Sequence, residues 1–340
     1  MRAARAKLAR LCQPGAIATL VVLGCIVPGN RLSSQEAPVS ATHHDRAAGL
    51  TARETLSAHL GPRYLLALGD SLAAGYQPSD GSSSPPVDPK TGFSDQGYPG
   101  GYASDLASER HLTLVDLACP GETTASMVGT PARPGCAGDY RAEFRASSQL
   151  TAALAFLAGH KHQVQLVSLD LGANDIESCA ATGSPNAACL AKGAATTARE
   201  LPTILNKLKS ALEIDDPGAP LVGMNYYDPF LGLEYRPGGP KPSAAAVLSL
   251  VLLDGYNQEL TVLYRRAHVP VADVASAFES GRTVPLTTYG TKLLPRDAAL
   301  VCRWTWMCPI SPAKDTADIY ANTAGYSVIA GAFESALGKS

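Results

Sequence analysis

The chain has 340 residues, of which 46% are hydrophobic and 17% charged, and its formal net charge is −2. That composition supplies a large buried core and excludes a disordered body. The near-neutral charge, with no basic stripe carrying interleaved aromatics, gives no electrostatic footprint for a nucleic-acid partner.

The N-terminus comes first. Arg2, Arg5, Lys7 and Arg10 form a basic segment without acids, and Ala16 to Val27 is an apolar run interrupted by Gly and Pro. The run is short for a membrane span, so residues 1–28 read as a secretory signal peptide. An uncleaved anchor helix is the other reading. Val22-Leu23-Gly24-Cys25 also resembles a bacterial lipobox, which would attach the chain to a membrane through Cys25. Residues 29–60 are polar and rich in Ala, Ser and Thr, and read as a linker in which His43 and His44 are solvated. Residues 61–340 are left as one domain.

Six cysteines lie in the body in three close pairs: Cys119 with Cys136, Cys179 with Cys189, and Cys302 with Cys308. An even count in an exported chain predicts disulfides. Six cysteines allow 15 connectivities. Pairing within each neighbouring couple is preferred, because each short loop then closes on itself. No CxxC and no His at ligand spacing supports a zinc site.

The body alternates short apolar runs with helical patterns. Strands are predicted at Tyr64 to Leu68, Leu112 to Ala118, Val164 to Leu171, Leu221 to Tyr227 and Val269 to Val274. Helical spacing relates Leu201, Ile204, Leu205, Leu208 and Leu212. It also relates Val247, Leu248, Val251, Leu252, Tyr256, Leu260 and Leu263. A last helix is predicted over Ala324 to Leu337. This alternation predicts an α/β domain with a parallel sheet covered on both faces. Gln77 to Gly101 and Leu231 to Ser243 break the pattern and read as long loops at the C-terminal edge of the sheet, where such folds bind ligands.

Three strand ends carry polar chemistry. Gly69-Asp70-Ser71-Leu72 follows the first strand and presents a hydroxyl before a helical turn. Gly121 follows the second, where a glycine lets a backbone N–H approach a reacting carbonyl. Gly172-Ala173-Asn174-Asp175 follows the third, and an Asn amide there can donate to a developing oxyanion.

Together these blocks resemble the SGNH/GDSL hydrolase family, named for a Ser, a Gly, an Asn and a His in four blocks. Asn322-Thr323-Ala324-Gly325-Tyr326 resembles the last block, so the resemblance runs from about residue 62 to the end. It implies a three-layer α/β/α sandwich with a parallel, flavodoxin-like central sheet. It also implies a secreted serine esterase or lipase working through an acyl-enzyme on Ser71. The oxyanion would be held by the N–H groups of Ser71 and Gly121 and by Asn174.

One position departs from the pattern. Alignment on Asn322 and Gly325 puts Tyr320 where the family has its catalytic His, and Ala321 where it has Pro. A serine hydroxyl is a poor nucleophile without a base beside it, and a phenol is a poor proton acceptor. His111, His160, His162 and His268 precede predicted strands and so fall at the opposite edge of the sheet. The acid is Asp318, with Asp315 or a backbone carbonyl as alternatives. The alternative function is a catalytically impaired protein that binds a lipid or an acetylated glycan. No cofactor or metal is implied. The expected partner is a small-molecule, lipid or glycan ester, and the expected state is a monomer. The loop Cys302 to Cys308 holds both tryptophans, Trp304 and Trp306. It reads equally as the wall of an acyl pocket or as a loop pinned to the core.

Overall fold

The computed structural model describes residues 61–77, 101–129, 146–179, 186–235, 244–308 and 318–338. The targeting segment, the linker, His43, His44, Cys136, Asp315 and most of both long loops lie outside the described residues.

The five predicted strands are present as β1 (Tyr64–Gly69), β2 (Thr113–Asp116), β3 (Val164–Asp170), β4 (Leu221–Met224) and β5 (Val271–Ala272). They form one parallel sheet in the order β2-β1-β3-β4-β5. Leu65, Leu66, Ala67 and Leu68 are all fully buried, as a central strand covered on both faces requires. The observed strands β2, β4 and β5 are shorter than their apolar runs. The surplus residues of the fourth run, among them Tyr226 and Tyr227, continue into the turn beyond the sheet and are buried there.

Helices cover both faces. On one side α1 (Tyr102–Glu109) packs on α9 (Thr323–Leu337). On the other, α3 (Gln149–Gly159), α5 (Ala187–Asp215) and α6 (Ala244–Arg266) pack in a row. The short helices α2 (Thr124–Met127), α4 (Ala173–Ile176) and α7 (Val274–Ala277) and the nine-residue α8 (Arg296–Trp304) are the remaining α-helices among the described residues. The result is the α/β/α sandwich with a flavodoxin-like strand order. No helix among the described residues is long and apolar enough to cross a membrane.

Three details correct the sequence reading. The second loop does not begin at Leu231, because Pro229–Tyr235 winds into a 3-10 helix. A small antiparallel hairpin, β6 (Thr287–Tyr289) with β7 (Lys292–Leu294), was not anticipated. It turns at Gly290, whose φ of 58° is open to glycine at little cost. In α6 the apolar pattern is not one buried face: Tyr256, Leu260 and Leu263 are buried, whereas Val247, Leu248, Val251 and Leu252 are exposed.

Two of the three predicted disulfides lie wholly within the described residues and are formed. Cys179–Cys189 and Cys302–Cys308 have Cα separations of 5.5 Å and 4.9 Å, within the usual range. His111, His162 and His268 each occupy a left-handed turn, with φ of 54°, 64° and 54°, before the strand that follows. They stand at the N-terminal edge of the sheet.

Candidate active site

The site grows from the junction of β1 and β3. These strands are paired so that Gly69 lies opposite Asp170, and both chains leave the sheet there. Gly69 has φ of 131°, and a Cβ added to it would lie 1.8 Å from Asp170 Oδ1. Gln149 fixes this glycine from α3, accepting its N–H at 2.7 Å and donating to its C=O at 2.9 Å. Asp170 then accepts the N–H of Asp70 at 2.6 Å and of Ala73 at 3.0 Å. The turn that carries Ser71 is thus held by two side chains from other elements before any substrate arrives.

Ser71 is 5% exposed and lines an apolar pocket together with Asn174, Glu177, Phe230, Leu252 and Tyr320. Its hydroxyl donates to Asp70 Oδ1 at 3.4 Å, and the Tyr320 phenol lines the same pocket. Ser71, Asn174 and Tyr320 thus line one pocket, whereas Gly121, expected in the same cleft, is not part of its wall. Among the described residues, the backbone N–H groups of Ser71 and Gly121 make no hydrogen bond. Gly121 has φ of 73° in the turn after β2, a conformation suited to glycine.

Asn174 is differently placed from a free donor. Its Nδ2 gives one hydrogen to Asp70 Oδ2 at 3.1 Å and the other to the Glu122 carbonyl at 3.1 Å. Both amide hydrogens are engaged, so donation to an oxyanion needs one of these bonds to open. Its neighbour Asp175 ties α4 to α2 by accepting from the N–H and hydroxyl of Thr124 at 2.9 Å and 2.7 Å.

The electrostatics are one-sided. No Lys, Arg or His lines the pocket among the described residues. Burial raises the Asp70 carboxyl to about 7, with the Glu177 charge adding to the rise. Burial also holds Asp170 well above the carboxylate range, reinforced by Asp70. Glu177 and Asp318 are raised by burial as well, and the Asp318 charge adds to the rise at Glu177. The Tyr320 phenol is pushed up to about 12, chiefly by burial, with the neighbouring Ser71 hydroxyl acting in the opposite direction. A group with that value does not accept a proton near neutrality.

Asp318 does not reach the Tyr320 phenol by any hydrogen bond of the described residues; its Oδ1 accepts the Tyr320 backbone N–H at 3.2 Å. Tyr320 is held instead by its ring, 4.2 Å from that of Tyr76, and by Tyr227, whose hydroxyl donates to the Ile319 carbonyl at 2.7 Å. The tryptophan loop is pinned to the core. Trp304 packs edge-on against Phe278, Trp306 donates to Gln77 Oε1 at 3.2 Å, and neither lines the pocket. Sequence reasoning missed Gln149, Asp170 and Glu177. Asp170 had one available signal, a carboxylate closing an otherwise apolar strand.

Among the described residues no group of three or more His, Cys, Asp or Glu is arranged to hold a metal ion.

No curated protein matches the sequence. Among solved structures, the extracellular lipase of Streptomyces rimosus is 19% identical with a TM-score of 0.48, covering 81% of this chain and 99% of its own. Phospholipase A1 of Streptomyces albidoflavus is 18% identical with a TM-score of 0.48, covering 81% and 100%. An acetyl-xylooligosaccharide esterase variant from Geobacillus is 14% identical with a TM-score of 0.42, covering 82% and 96%. The profile of the GDSL-like lipase/acylhydrolase family matches residues 67–298, well over half the chain, and the chain is a member of that family.

Proposed function

We propose that this protein is an exported serine esterase that cleaves a carboxylic ester through an acyl-enzyme on Ser71, with turnover held low by the tyrosine at position 320. The observation that carries the reading is the convergence of Ser71, Asn174 and Tyr320 on one apolar pocket. The two disulfides and the signal-like N-terminus support export.

In this reading Ser71 Oγ attacks the ester carbonyl carbon, and the N–H groups of Ser71 and Gly121 receive the oxyanion, joined by Asn174 once it releases an acceptor. The hydroxyl proton passes to Asp70 Oδ1, the carboxylate oxygen that accepts from Oγ at 3.4 Å. Collapse expels the alcohol, which takes that proton. Water then repeats the sequence on the acyl-enzyme and frees the acid. Tyr320 orients the serine hydroxyl and does not take its proton, and Asp318 positions Tyr320 through its backbone. The cost is large: a carboxylate held by other hydrogen bonds is a weaker partner than an imidazole aimed at Oγ.

A second reading is a protein that binds a lipid or acetylated glycan without turning it over. The engaged amide of Asn174 and the phenol at position 320 favour it. Hydrolysis of short p-nitrophenyl esters by the purified protein separates the two. Turnover that disappears in Ser71→Ala supports the esterase; turnover equal in the parent and Ser71→Ala removes it.

A further inference from the structure

Helix α6 begins with an apolar face turned to solvent. Val247, Leu248, Val251 and Leu252 are 53%, 43%, 64% and 37% exposed. Their spacing of one, three and one residues places them on a single stripe of the helix. From Ala246 to Leu253 the sequence contains no charge, and Ser249 is its one polar residue. Continuous apolar surface of this kind marks an interaction site.

Its position says what covers it. Leu252 is both exposed and part of the wall of the Ser71 pocket, and Ser249 and Leu253 of the same turns line that pocket too. The pocket holds about 140 Å³, close to the size of cavity that accepts one benzene ring. It therefore takes only the first carbons of an acyl chain. The remainder lies across the mouth, against Leu252 and the stripe beyond it.

We propose that the first half of α6 is a lipid-docking face that rests on the apolar layer of an aggregated ester substrate and passes its acyl chain into the Ser71 pocket. The substrate class is then an acyl lipid in a bilayer or micelle. A chain moving from the layer over Val251 and Leu252 to the pocket stays in apolar contact throughout. The proposal rests on the acyl-ester reading of the pocket. It explains why large side chains stay on the surface where the helical pattern alone would bury them.

The test uses the full chain carrying Ser71→Ala, so that lipid is not consumed, with phosphatidylcholine vesicles. Amide hydrogen exchange is followed in the segment 244–253. Vesicles are expected to slow exchange there several-fold, and Val247→Asp with Val251→Asp is expected to abolish the slowing. Both positions are more than half exposed, so the double variant keeps its fold, which its thermal midpoint checks. Because the readout is local, binding through the N-terminal apolar run does not mimic it. No slowing with vesicles overturns the proposal. So does slowing that survives the double variant, or protection that rises with protein concentration without lipid, which would assign the face to a second copy. Docking by the parent with no ester turnover would instead remove the esterase reading and leave the docking face standing.

Discussion

Asp170 Oδ1 accepts the backbone N–H of Asp70 at 2.6 Å, while its Oδ2 accepts that of Ala73 at 3.0 Å, so one carboxyl on β3 bridges both sides of Ser71. Replacing it with alanine leaves two buried N–H groups without an acceptor. Each orphaned group costs about 1–3 kcal/mol. Asp170→Ala is therefore expected to lower the urea midpoint and to loosen the Ser71 turn. An unchanged midpoint would show that the turn holds itself.

The same carboxyls set a pH dependence with two opposite signs. Asp70 is 1% exposed, and its folded value of about 7 stands above the ordinary 3.8. The folded state thus binds this proton more tightly than the unfolded chain. Its stabilising contribution is complete below about 4 and is lost as pH rises through 7. Asp228, raised to about 6, acts in the same direction. The half-buried Glu279, lowered by its hydrogen bond from Arg296, acts the other way, and its pair with the surface Arg296 is weakened by solvent. Thermal midpoints are expected to fall from pH 5 to pH 8. Ester turnover runs opposite, because Asp70 accepts the serine proton only when ionised, so kcat/KM rises across the same range. A turnover that is flat from pH 5 to pH 8 removes Asp70 from the proton path.

The strands and the three polar strand ends were legible because each depends on local pattern, whereas the strand order came only from the family resemblance. An apolar run such as Tyr64 to Leu68 buried on both faces reads as a central strand. Ser71, Gly121 and Asn174 could be placed because parallel strands share an edge. What the pattern hides is contact through space. Gln149 reaches Gly69 from 80 residues away, and Asp170 reaches Asp70 from 100. Nothing in the immediate sequence of either distinguishes a clamp from a solvated polar residue. The division of α6 into an exposed and a buried half was hidden for the same reason, since period alone gives spacing and not what lies opposite.

Gly69 offers a sharper test of the clamp. Its φ of 131° is one that other residues avoid, and a methyl group there would overlap Asp170. The obstacle is a buried carboxylate and the Asp170 backbone, not the free end of a flexible side chain. Gly69→Ala is expected to prevent folding or to destabilise by more than about 4 kcal/mol, in the range reserved for severe core faults. Circular dichroism and solubility report it directly. A folded variant of near-native stability would mean that the β1–β3 junction relaxes far more than its hydrogen bonds suggest.

Tyr320 decides between slow enzyme and silent binder. Its ring is fixed beside Tyr76 and it lines the Ser71 pocket, so a histidine at 320 would start in the right pocket. Tyr320→His is expected to raise kcat/KM on a short-chain ester. Losing the triad histidine of a serine protease costs on the order of a millionfold, which bounds the gain from above. The gain falls short of that bound here. Asp318 already spends Oδ1 on the backbone N–H of residue 320, so an imidazole would have to find its orienting acceptor elsewhere. Asn174 must also give up Asp70 or Glu122 to serve the oxyanion. The measurement compares the parent, Tyr320→His, Ser71→Ala and the double Ser71→Ala/Tyr320→His on one ester. A rise in Tyr320→His that vanishes in the double variant assigns the added rate to Ser71. A folded Tyr320→His with no rise points to an oxyanion site locked by Asn174, and the binding reading then prevails.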